Sequence, residues 1–228
     1  MSEDLNASPY HGVFFDLDGT LADTAPDLVA AANQLLVARN LPPKPYKSLR
    51  PYASAGARGL LEGTFGITPD HPDFISLRDE FFTNYEKALL VDSKLFDGVE
   101  HLLEQMKKAN VPWGIVTNKS ERFTKPLTDL MGLRQRAVST VSGDTTPYSK
   151  PHPEPILHAA RIANIDPTKS IYVGDDIRDV IAGKAAGMLT VAAAYGYCGC
   201  KEPPELWGAD YIINRPLDLL QIIFPSRG

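Results

Sequence analysis

The chain is poor in cysteine, in long apolar runs and in clustered basic charge, and each shortage removes a class of function. Among its 228 residues there are 2 cysteines, Cys198 and Cys200, in the run Tyr197-Cys198-Gly199-Cys200. One intervening residue makes an ordinary disulfide between them awkward. Two thiols with no histidine nearby also fall short of a structural zinc site, so both read as loop thiols. No apolar stretch approaches the ~20 residues that span a bilayer. Lys and Arg total 23 against 28 Asp and Glu, a net charge of −5. With no basic run, binding to nucleic acid or to an anionic membrane is not expected as the main task. Residues 1–10 are polar and acidic and lack the apolar centre of a signal peptide. The expected location is therefore the cytoplasm, where the sequon Asn118-Lys119-Ser120 would meet no glycosylation machinery. There is no internal repeat and no low-complexity tract.

What is present organises around one stretch, Gly12-Val13-Phe14-Phe15-Asp16-Leu17-Asp18-Gly19-Thr20. Its apolar run, Val13 to Phe15, is short, aromatic and β-branched and ends at two carboxylates followed by a glycine, so it reads as a buried strand. A parallel strand delivers its carboxyl end to the crevice where open α/β sheets bind ligands. Asp16 and Asp18 stand at that end. Side chains alternate along extended chain, so residues i and i+2 point the same way. Two carboxylates on one face repel unless a cation or a proton lies between them. One can then stay ionised as nucleophile or metal ligand while the other carries a proton, a pairing that suits phosphoryl transfer through an aspartyl-phosphate. A lone Asp-x-Asp has an ordinary alternative, a strand end with aspartate as turn former and helix cap.

After Thr20 the pattern turns helical. Asp23-Thr24-Ala25-Pro26-Asp27 carries cap and first-turn proline signals, and an apolar face runs to about residue 40. Further helices are expected over 46–52, 58–65 and 73–90, and no strand between 21 and 92. A helical insert of roughly seventy residues after a first strand is too long for an ordinary connection. It reads as a cap domain, residues 22–94, inserted into a core of residues 10–21 and 95–228. From residue 95 onward strands (113–117, 138–142, 170–174, 189–193, 210–214) alternate with helices (98–110, to 130, 153–164, 178–186, and a last one ending near 224). This alternation predicts a parallel sheet covered on both faces.

Three more strand ends carry chemistry. Thr117 and Asn118 bring a hydroxyl and an amide, Lys150 a cation ahead of a helix, and Asp175, Asp176 and Asp179 acids. Each alone has an ordinary reading as a helix cap or a solvated charge. Together they supply nucleophile, acid, hydroxyl donor, cation and metal carboxylate, all at carboxyl ends of parallel strands.

The order of these groups resembles the four motifs of the haloacid dehalogenase-like (HAD) superfamily: Asp16-Leu17-Asp18-Gly19-Thr20, then Thr117-Asn118, then Lys150, then Gly174-Asp175-Asp176 through Asp179. The resemblance covers nearly the whole chain. It implies an α/β, Rossmann-like core with a C1-type helical cap. Within the superfamily the chain is most similar to phosphoglycolate phosphatases and their relatives, the N-acetylmuramic acid 6-phosphate phosphatases included, also in the tail from Glu202 to Asp210. Cys198-Gly199-Cys200 is not part of that pattern. The implied activity is a Mg²⁺-dependent phosphomonoesterase acting on a small phosphorylated metabolite, phosphoglycolate first and N-acetylmuramic acid 6-phosphate as the alternative. By the same resemblance Asp16 is nucleophile and Asp18 acid/base. Mg²⁺ is held by the Asp16 carboxylate, the Asp18 carbonyl and Asp175. Thr117, Asn118 and Lys150 hold the phosphoryl group, and Asp176 and Asp179 stand behind them. Both candidate substrates carry a carboxylate, and a guanidinium reads a carboxylate bidentately. Arg50 or Arg58, flanking a small-residue loop of the insert, would do so unless paired with an acid such as Glu62. Rival readings are a phosphosugar mutase, separated by free phosphate release, and a dehalogenase, which has no use for a metal-linked Asp18. A third, a non-catalytic HAD-like binding protein, would typically have lost one of these groups. A monomer or a homodimer is expected.

Overall fold

The structure, a computed structural model, describes residues 8–225. Residues 1–7, most of the segment read above as lacking a leader, lie outside the described part. In chain order the elements are β1 (Gly12–Phe15), β2 (Ala22–Asp23), α1 (Ala25–Val37), α2 (Tyr46–Leu49), α3 (Gly56–Phe65), α4 (Phe74–Lys87), β3 (Lys94–Leu95), α5 (Val99–Lys108), β4 (Trp113–Val116), α6 (Glu121–Leu130), β5 (Thr140–Val141), α7 (Glu154–Ala163), β6 (Ser170–Gly174), α8 (Ile177–Ala185), β7 (Leu189–Ala193), β8 (Tyr211–Ile213) and α9 (Leu219–Ile223). A 3₁₀ segment, Arg50–Ala55, joins α2 to α3.

Six strands form a parallel sheet in the order β5-β4-β1-β6-β7-β8. The first strand in sequence is thus central, and the order reverses on either side of it. That reversal opens a crevice at the carboxyl end of β1. Strand alternation feeds two separate cores. Val13 and Phe15 pack with α5, α9, Trp113 and Ile115 on one face, whereas Phe14 packs with Ile156, Tyr172 and Ala182 on the other. All four residues of β1 are buried, as a strand covered on both faces requires.

Helices α1 to α4 build a third apolar cluster around Leu35, Leu60, Leu61, Phe81 and Tyr85. The chain leaves the sheet for these helices through β2 and returns through β3, which pair antiparallel, Ala22 opposite Leu95 and Asp23 opposite Lys94. The sequence reading, which placed no strand between 21 and 92, misses β2. Two residues have no periodicity to detect, and Asp23 is a poor strand former, so the pairing exists only because distant chain returns beside it. Asp27, buried on α1, grips the returning segment: its carboxylate accepts the N–H groups of Val91, Asp92 and Ser93 at 3.0 Å each, and the Ser93 hydroxyl. The helix expected over 46–52 ends as α-helix at Leu49 and continues as 3₁₀, in keeping with Pro51, which has no N–H to offer an α-helix.

Candidate active site

At the carboxyl end of β1 the chain must turn without colliding with its neighbour strand. Gly19 does so at φ +87°, and a Cβ there would fall 2.1 Å from Asp175 Oδ2. Only glycine fits, and its absent side chain brings the β1 and β6 acids together. Oxygens of Asp16, Asp175 and Asp179 lie within 4.8 Å of one another. Asp175 is fully buried, and burial first, then the Asp16 and Asp179 charges, hold its carboxyl well above the usual carboxylate range. Asp16 Oδ1 is buried and accepts no aligned hydrogen bond, although the Lys150 ammonium stands 2.9 Å from it.

Lys150 reaches this point from the loop ahead of α7. Its Nζ donates to Val116 O at 2.8 Å and to the Tyr172 hydroxyl at 2.9 Å, and pairs with Asp179 at 2.7 Å. Burial opposes its charge, but the Asp16 and Asp179 carboxylates outweigh that and raise its pKa further. It is a fixed cation. Asn118 fixes the lysine's backbone: its amide N–H donates to Lys150 O at 2.8 Å, and its amide oxygen accepts from Lys150 N at 2.9 Å. Thr117 is buried at the end of β4, its hydroxyl oxygen accepting from Lys119 N.

Asp18 does not join the acid cluster. Its Oδ1 accepts from the Thr24 hydroxyl and, at 3.0 Å, from the ammonium of Lys119. Lys119 also stands over the ring of Tyr85 on α4, 4.6 Å from the centroid. The Asp18 carboxylate is thus held from the sheet side and the helix side at once.

Asp176 takes a place that sequence reading leaves open. It caps α8 through the Arg178 N–H, with Asp179 Oδ2 accepting the Asp176 N–H in return. Its carboxylate also pairs with the Arg178 guanidinium at 2.7 Å and accepts from the Ser54 hydroxyl at 2.6 Å, and Arg178 donates to Ser54 O. Burial works against the Asp176 charge, but Arg178 and Ser54 overcome it and hold the carboxyl at about 2. The helical insert is latched to the sheet here. A second tie runs through Tyr197: its N–H donates to Asp175 Oδ2 at 2.8 Å, and its hydroxyl oxygen accepts the N–H groups of Thr24 and Ala25 at the start of α1.

A cavity of about 310 Å³ lies between the two layers. Asp16, Asp18, Thr117, Asn118, Lys150, Asp176 and Asp179 line its floor and the 53–58 loop with Arg58 one wall; Leu28, Phe74, Phe81, Phe82, Tyr85 and Phe123 add an apolar face, beside which Arg78, Lys119, Ser120 and Arg178 also reach the cavity. The two arginines expected as carboxylate readers part company. Arg58 lines the cavity and has no ion pair among the described residues, Glu62 included. Arg50 does not line it. Its guanidinium donates to Gly196 O at 2.8 Å and lies 5.0 Å from the centre of the Tyr197 ring. Sequence reading also passes over Lys119, Tyr85, Thr24, Ser54 and Arg178. Lys119 directly follows Thr117-Asn118, a position that invites attention. Tyr85 falls on a helix's apolar face and reads as core.

Comparison with known proteins places this geometry. The family described as "Haloacid dehalogenase-like hydrolase" matches residues 13–193. An N-acetylmuramic acid 6-phosphate phosphatase of Pseudomonas putida is 41% identical over 211 residues, 92% of this chain and 95% of the relative. A phosphoglycolate phosphatase of Xanthomonas campestris pv. campestris is 42% identical over 207 residues, 91% and 93%. A crystal structure described as a predicted phosphoglycolate phosphatase from Haemophilus somnus superimposes with a TM-score of 0.83 at 26% identity, covering 95% of this chain and 99% of that one.

Proposed function

The chain belongs to the haloacid dehalogenase-like hydrolases and is a phosphatase of that family; from that premise we propose that it hydrolyses a carboxylate-bearing phosphate monoester through an aspartyl-phosphate on Asp16. The observation that carries the reading is the convergence of Asp16, Thr117 and Lys150 on one cavity floor beside buried acids. An Asp16 carboxylate oxygen attacks phosphorus, and the ester P–O bond breaks. The departing oxygen takes a proton from Asp18, since an alcohol leaves poorly as an anion. Asp18 then takes a proton from the water that attacks the phosphoryl group, and the Asp16–phosphorus bond breaks to release inorganic phosphate. Lys150, the Thr117 hydroxyl and the Asn118 backbone N–H hold the phosphoryl oxygens where charge gathers. Asp179, engaged by Lys150, orients that lysine.

The donor set fits a magnesium ion: buried carboxylates crowd together, and one Asp16 oxygen has no aligned donor. The Asp16 and Asp175 carboxylates and the Asp18 carbonyl would hold it, an oxygen set of the kind Mg²⁺ takes. When bound it would neutralise charge between phosphate and nucleophile. The helices between β2 and β3 are proposed as a cap (residues 22–94) over a core of residues 10–21 and 95–228, with two separate apolar clusters in support.

Two substrates come from the relatives' names. At about 310 Å³ the cavity lies at the small end of the ~300–1,000 Å³ range of ligand pockets, a size in keeping with a small phosphorylated metabolite. The test is release of inorganic phosphate from both, from glucose 6-phosphate and from pyrophosphate, with Mg²⁺ and with EDTA. Turnover of an acidic ester well above the others is expected. Preference for a neutral ester overturns the carboxylate reading, and phosphoryl transfer without free phosphate favours a mutase.

A further inference from the structure

Tyr85 is 1% exposed, and its hydroxyl makes no aligned hydrogen bond, although it faces the Lys119 ammonium. Buried polar groups are nearly always paired, so an orphan calls for an explanation. Burial pushes the phenol pKa up, so the group is a neutral O–H at physiological pH. Tyr85 lines the same cavity as Asp16, and the Lys119 ammonium lies 4.6 Å from its ring centre. One N–H of that ammonium goes to Asp18. Phe81, Phe82 and Phe123 pack against the Tyr85 side of the same wall. Two donors, one neutral and one cationic, thus stand together among the phenylalanines of this wall, next to the proposed proton donor.

We propose that Tyr85 and Lys119 form a specificity subsite that binds an acceptor oxygen of the substrate's organic part, close to the ester bond. The ligand class is a phosphate ester whose organic group combines an ether, carbonyl or carboxylate oxygen with an apolar face for the phenylalanines. The orphan hydroxyl is then a group whose partner arrives with the substrate. A site built to hydrogen-bond a substrate oxygen rejects analogues without it far more strongly than an apolar pocket rejects a change of size. The inference rests on the phosphatase reading of this cavity.

The test compares an ester that carries an acceptor oxygen with phenyl phosphate, which offers bulk but no acceptor beyond the ester itself. The first is whichever of N-acetylmuramic acid 6-phosphate, 2-phosphoglycolate and glucose 6-phosphate the wild type turns over fastest. Tyr85→Phe removes one oxygen and no packing. Its ratio of kcat/KM for the first ester over phenyl phosphate is expected to fall by about tenfold or more, mostly through KM. Its melting temperature is expected to match or exceed that of the wild type, because no protein hydrogen bond is lost. Lys119→Met also frees Asp18 from its ion pair, so it is read through KM for the acceptor-bearing ester, which is expected to rise as in Tyr85→Phe. A Tyr85→Phe ratio that falls less than that, or a clearly lower melting temperature, overturns the subsite. A wild type that releases phosphate from no ester overturns the phosphatase reading instead.

Discussion

Asp16, the proposed nucleophile, lies 2.9 Å from the Lys150 ammonium at the end of a strand buried along its whole length. Asp16→Asn is nearly isosteric. It should leave the fold intact and remove turnover by several orders of magnitude; a variant free of deamidation that keeps a tenth of kcat would mean that water attacks directly. Asp18→Asn should damage alkyl phosphates far more than p-nitrophenyl phosphate, whose leaving group needs little protonation. Equal losses in steady-state assays would take Asp18 out of the acid role. The two arginines give a contrast. Arg58 faces the cavity without an ion pair among the described residues, so Arg58→Met should lower kcat/KM on a carboxylate-bearing ester selectively, by about 1.5–3 kcal/mol. Arg50 holds the Gly196 carbonyl, so Arg50→Met should affect acidic and neutral esters alike.

At the scale of elements, the decisive joints are where the helical layer meets the sheet. Asp27, itself 3% exposed, accepts three backbone N–H groups of the returning segment. Asp27→Ala should cost about 2–4 kcal/mol, as loss of charge-assisted hydrogen bonds does, read as a lower denaturant midpoint at unchanged m-value. The Ser54–Asp176–Arg178 latch makes a pH prediction. Asp176 is held at about 2 against an ordinary 3.8, so the folded state prefers it charged. That contribution is fully present above pH 4, falls as pH drops towards 2, and amounts to about 2 kcal/mol. Asp176→Asn should therefore be less stable than wild type at pH 6, and the gap should narrow between pH 4 and 2. A gap independent of pH across that window would assign the loss to the α8 cap rather than to the charge.

On the scale of the whole molecule, the sheet carries the proposed catalytic side chains and the helices most of the apolar wall, so activity is expected to depend on both layers. The charge pattern of the floor, with Asp175 forced above the carboxylate range by burial and by its neighbours, describes a place short of positive charge. Activity should vanish in EDTA and return with Mg²⁺, and Asp175→Ala should raise the Mg²⁺ concentration needed or abolish turnover. Full activity in chelator would overturn the metal assignment.

The parallel α/β core, its strand spans and the grouping of Asp16, Thr117, Lys150 and Asp175 at one end of it were legible because they rest on local rules. Strand period and length, glycine at a turn, and the carboxyl-end rule of open sheets need no knowledge of distant contacts. The family followed from the same motifs. Contacts between the layers were not legible. The β2–β3 pair, the Asp27 grip, the use of Arg50 as a tie and of Asp176 as a latch, and the meeting of Lys119 with Tyr85 join residues up to 146 positions apart. No local pattern encodes such a meeting, because a lysine after a strand and a tyrosine on a helix's apolar face look the same whether or not they touch. Only the packing of α4 against the sheet's crevice decides that these two side chains share a wall with Asp18.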